Sequence, residues 1–145
     1  MSGTARTKIM DALVDSLKLI DGTNPYASNL YENIYPKLIF WDDVEDFPTV
    51  SVVAGSETRE YLPSSFKWGF LNISIRIYVN EENAKEALEK IFYDIETLID
   101  SNIVLEYDNG VNTTDINILS ISDDQGLLEP LGVGEIELQV RYQII

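Results

Sequence analysis

The chain has 145 residues, 45% hydrophobic and 24% charged, and its ten Lys and Arg against 25 Asp and Glu give a formal charge of −15. This is ordinary globular composition with length enough for one core, so a single domain spanning residues 1–145 is expected. The absence of Cys and His removes disulfides, thiolate chemistry, most structural zinc sites and the commonest general base, and the acidity opposes a surface that grips nucleic acid by neutralising phosphates.

The longest apolar run, Leu38 to Trp41, is far short of the ~20 residues a membrane-spanning helix needs. The start "MSGTARTKIMDALVDSL" lacks the apolar segment of a secretory signal. A chain made and kept in a cytosol, without a membrane partner, is the expectation.

Ile9, Met10, Leu13, Val14, Leu17 and Ile20 recur at three- and four-residue spacing, which predicts a helix over 5–20 stopped by Gly22. "TNPYASNLYENIYP" reads as an irregular connection punctuated by Pro25 and Pro36. Residues 48–54 form a short strand that begins on a proline. The polar stretch 55–69, with Pro63, is either a long hairpin loop or an extended arm with a little strand near Glu60 to Leu62. In the next strand Leu71, Ile73, Ile75, Ile77 and Val79 point one way and polar residues the other. Asn80 is expected to cap a second helix, with Glu81 and Glu82 at its positive end. Its buried stripe runs from Ala84 through Leu88, Ile91 and Ile95 to Ile99, and Glu86 and Lys90 can pair across a turn. Asn109-Gly110 suits a tight turn between a strand near 103–106 and one from Val111. "DINILSIS", 115–122, switches its apolar face midway, which signals a bulge near Ser120. Residues 123–135 read as a second long connection, closed by "GVGE", and the final strand alternates Ile136, Leu138, Val140, Tyr142 and Ile144 with polar residues. The order gives an α+β fold: a mainly antiparallel sheet of about four strands, two helices packed on one face, and long inter-strand loops.

No cluster carries recognisable chemistry. Asp42, Asp43, Glu45 and Asp46 lack the spacing of a calcium loop. Asp123, Asp124 and Glu129 form the kind of carboxylate group any acidic chain contains. "GVGE" runs into a strand, whereas phosphate loops open a helix. No catalytic, metal or cofactor residue is assigned, and no enzyme is expected. Antiparallel strands ordinarily join through two to five residues, so the two long connections either fold back on their own sheet or are the candidate interface, through Arg59, Tyr61, Leu62, Phe66 and Trp68 in the first and Leu127, Leu128 and Leu131 in the second.

The first helix ending in "SLKLIDGTNPY", "FPTVSVVAGSE", "WGFLNISIRIYV", "ALEKIFYDIETLI" and "ISDDQGLLEPLGVGEIELQVRY" together resemble a tail terminator (tail completion) protein of long-tailed bacteriophages. The resemblance spans nearly the whole chain, except 104–114. It implies a structural virion protein, assembled in the host cytoplasm, that forms a ring, typically a hexamer, at the head-proximal end of the tail. Its partners are then itself, the tail tube protein and a head-completion or neck protein, while DNA passes through without specific binding. Six copies at −15 each carry −90, which opposes sticking of DNA to a channel wall. The alternatives are another phage neck, connector or tube protein, and a small α+β ligand-binding or regulatory dimer.

Overall fold

The computed structural model describes residues 4–101, 104–113 and 115–144. Helix α1 spans Ala5–Leu17 and α2 spans Ala84–Ser101. The strands are β1 (Ile34–Tyr35), β2 (Thr49–Leu62), β3 (Phe66–Asn80), β4 (Glu106–Asp108), β5 (Val111–Asn112), β6 (Asp115–Asp123) and β7 (Leu131–Ile144). They make a five-stranded sheet in the order β1-β2-β3-β7-β6 and a separate two-stranded β4-β5 hairpin. The fold is α+β, but the main sheet has five strands, not four. It is also mixed: β1 pairs parallel to β2, through Val50 and Ser51 only.

The alternation in β3 and β7 places Leu71, Ile73, Ile75 and Ile77 beside Ile136, Leu138 and Val140, all fully buried. These join Ile9, Leu13 and Leu17 of α1 and Leu88, Ile95 and Leu98 of α2 in one core cluster. Each large aliphatic side chain buried there contributes roughly 1.5–3 kcal/mol as an upper estimate. The Glu86–Lys90 pair forms at 3.9 Å, and the expected bulge appears as a register shift in β6 between Ile118 and Ser120.

Several expectations are corrected. Helix α1 stops at Leu17, capped by Lys18; the turn beyond it still buries Ile20, and Gly22 (φ 87°) belongs to the following loop. Asn80 caps nothing, because it closes β3 opposite Leu131, and α2 begins at Ala84. The polar stretch 55–69 is the arm, not the loop: β2 and β3 stay paired from Glu57 and Leu71 out to Leu62 and Phe66. The second connection shrinks to 124–130, because Gly132 and Gly134 lie inside β7. A Cβ on Gly134 would sit 2.5 Å from Phe92 Cζ, and one on Gly132 2.9 Å from the Ala84 Cβ. The glycines are there so that α2 can press onto the strand. Residues 103 and 114, at the ends of the expected hairpin, lie outside the described residues.

Candidate assembly interface

The arm leaves the core at a β-bulge between Ala54 and Glu57, and beyond it β2 is exposed except at Glu57. Its root is a polar knot. Glu57 accepts a hydrogen bond from the Tyr142 hydroxyl at 2.6 Å and from Arg59 Nε at 2.8 Å, while Arg6 of α1 donates to the Gly55 carbonyl at 2.8 Å. Burial, then the adjacent Glu57 carboxylate, pushes the Tyr142 phenol well above its usual range. The knot ties the arm to α1 and β7, beside a cleft of about 670 Å³ lined by Arg6, Arg59 and Tyr107.

Register sorts the arm's predicted interface residues onto two faces. Arg59 and Tyr61 share one face with Lys67, whose ammonium lies 5.6 Å from the Tyr61 ring centre. Leu62, Phe66 and Trp68 share the other. Phe66 and Trp68 meet edge to face with centroids 5.0 Å apart, and the Arg141 guanidinium stacks 4.6 Å from the Trp68 ring centre. Tyr61 is 70% exposed. At the tip, Ser64 and Ser65 both have positive φ, 69° and 63°, a conformation non-glycine residues rarely take.

The second group lies elsewhere. Leu131 pairs with Asn80, fourteen residues along β3 from Phe66, which at ~3.3 Å per residue is about 46 Å away. The predicted residues therefore form two poles of one sheet. In the loop, Asp123 accepts from the Gln125 amide and Asp124 from the Leu128 amide, so these carboxylates shape a turn that leaves Leu127 85% exposed. Lys85 bonds Asp123 at 2.9 Å and holds that carboxyl below its usual range. Among the described residues no group of three or more Asp or Glu is placed to hold a metal ion.

Sequence reasoning missed a platform at this second pole. The Ser51 hydroxyl donates to the Lys37 carbonyl at 2.6 Å, the Tyr78 hydroxyl to Ile39 at 2.5 Å and the Thr49 hydroxyl to Asp46 at 2.5 Å. All three donors are buried, yet Leu38, Phe40 and Trp41 on the segment they pin are each more than half exposed. Trp41 shares a groove with Leu128 and Leu131. In the sequence the run Leu38 to Trp41 serves only to exclude a membrane span, and Leu127, Leu128 and Leu131 are the signals of a surface at this pole.

The sheet's outer face between the poles is polar. Arg76 bonds Glu135 at 2.8 Å, Ser74 donates to Glu137, and Arg141 pairs with Asp115 at 2.8 Å. Arg76 holds Glu135 low, whereas burial raises Glu137.

The profile of the Bacteriophage Tail Tube Terminator Protein family matches residues 3–144. The chain is 42% identical over 150 residues to "Tail tube terminator protein p142" of Escherichia phage T5, covering 95% of this chain and 93% of that protein. A chain from a structure titled "Virion of native gene transfer agent (GTA) particle" shares the fold at TM-score 0.58 and 9% identity, covering 99% of this chain and all of that one. The chain belongs to the bacteriophage tail tube terminator family.

Proposed function

We propose that this protein acts as a ring, a hexamer, that seats on the finished tail tube, ends its growth and offers its far side to the head-completion or neck protein. The observation that carries the ring is the pair of open sheet edges. Among the described residues strand β6 has no partner on its outer side, and on the other flank β1 covers β2 only at Val50 and Ser51. Two unpaired edges on opposite sides of one sheet are material for a head-to-tail contact, which closes into a ring when its rotation permits. Residues 117–122 of the β6 edge carry no charge and no proline, and Leu119 is 55% exposed, so nothing there blocks a neighbour.

The arm residues Arg59, Tyr61, Leu62, Phe66 and Trp68 serve contacts to a neighbour or the tube. Leu127, Leu128 and Leu131 serve the other pole. The protein has no catalytic role and is assembled in the host cytoplasm into the head-proximal end of the tail. DNA passes through without specific binding, since 25 acidic residues face ten basic ones; a solved ring whose inner wall is dominated by Arg and Lys contradicts that point.

The test is electron microscopy of purified tail tubes incubated with the protein. Six-fold density at tube ends alone is expected. Binding along tube walls points instead to another neck or tube component, and no binding removes the proposal.

A further inference from the structure

We propose that the platform of Phe40, Trp41 and Leu128 is the docking surface for the neck protein, and that this partner presents an apolar anchor rimmed by Lys or Arg. The inference rests on the terminator ring proposed above and adds which surface meets the head side and what chemistry it takes.

Three buried hydroxyls hold the backbone of 37–46 down on the sheet while its largest apolar side chains face solvent. A segment that only capped the core would turn those side chains inward. The rim is mainly acidic: Asp43, Glu45 and Asp46 line a groove with Leu38, and Asp124 lines a cleft with Phe40 and Trp41, against Lys37 and an Arg76 already paired with Glu135. Among the described residues none of Asp42, Asp43, Glu45, Asp46, Asp124 and Glu129 makes an ion pair. An apolar centre inside a charged rim is also the ordinary anatomy of a protein interface.

Other occupants fit worse. A two-fold contact between copies through this patch sets acidic rim against acidic rim. A contact from the patch to the arm of another copy, at the opposite pole of the sheet, runs along the strand direction and yields an open filament unless its rotation closes. The arm pole, with Lys67 and Arg141 over aromatic rings and Arg59 paired with Glu57, has the mixed chemistry suited to gripping the tube. A mainly acidic pole repels its own kind and accepts a basic partner.

The experiment uses tails assembled with Trp41→Ser, with Leu128→Ser, or with the rim change Asp42→Lys plus Asp43→Lys. The altered residues are exposed, and unchanged melting of each purified variant checks the fold. Tails of wild-type length are expected, with joining to DNA-filled heads in vitro reduced about 30-fold for Trp41→Ser, the loss typical of a central tryptophan anchor. Tails of uncontrolled length from folded variants overturn the assignment, because the platform then meets the tube. Normal joining overturns it as well, and so does wild-type self-association that these variants abolish. If the unaltered protein fails to cap tubes, the terminator ring itself falls, a different outcome from capped tails that join normally.

Discussion

Asp94 is fully buried on α2, an uncommon place for a carboxylate. It accepts hydrogen bonds from the Ala27 amide at 3.1 Å, from the Ser28 amide at 2.7 Å and from the Ser28 hydroxyl. Those three donors hold the loop between α1 and β1 against α2. Hydrogen bonds to a charged acceptor contribute about 1.5–3 kcal/mol each, but burial of the carboxylate offsets part of the sum. The expected cost of Asp94→Ala is therefore about 3 kcal/mol. Asp94→Asn should cost about half as much, because one amide oxygen still accepts while its NH2 group opposes the remaining donor. Urea unfolding measures both: at a slope of about 2 kcal/mol per molar, Asp94→Ala lowers the midpoint by about 1.5 M. Ser28→Ala combined with Asp94→Ala should cost less than the two single changes added. A midpoint shift under about 0.3 M for Asp94→Ala, only about 0.6 kcal/mol at that slope, would refute the idea that this carboxylate organises the loop.

Gly134→Val should destabilise by about 1–3 kcal/mol, as overpacking of a filled site does, because the added atoms collide with Phe92 and Leu88; thermal melting reads it, and an unchanged Tm contradicts close contact of α2 with β7. Asp123 has its pKa lowered by Lys85, so the folded state holds fewer protons than the unfolded one and this stabilisation is present above the ordinary carboxylate value and lost as pH falls through the lowered one. Lys85→Met should accordingly be less stable than wild type at pH 7, with the gap closing below about pH 4, as denaturation at a series of pH values will reveal. Arg59→Glu and Trp68→Ala should leave circular dichroism intact while reducing ring formation or tail completion; normal assembly from both removes the arm from the interface.

The parts of the fold legible in the sequence are those whose periodicity is enforced by burial. The alternation of Leu71 to Val79 and of Ile136 to Ile144, and the stripe of α2, follow directly from the core they fill. The arm was ambiguous because it lies beyond the core: "SETREY" is held in β2 by backbone pairing to β3 and needs no apolar face. Strand β1, two residues in parallel pairing, is too short to show a period. Gly132 and Gly134 resemble a loop because glycine is depleted from strands, and only the packing of α2 explains them. Asp94 falls on the helical stripe, three residues after Ile91, but its partners are 66 and 67 residues away in sequence. The candidate interface residues stand out as types, since long polar connections holding aromatic residues are conspicuous. That they divide between two poles depends on register, which composition does not carry.

The most direct measurement is the length of tubes polymerising from purified tube protein when this protein is added during growth. The account predicts that elongation stops at once and that every arrested tube bears one ring at one end. Continued elongation in the presence of excess folded protein, or its incorporation along the tube, contradicts it.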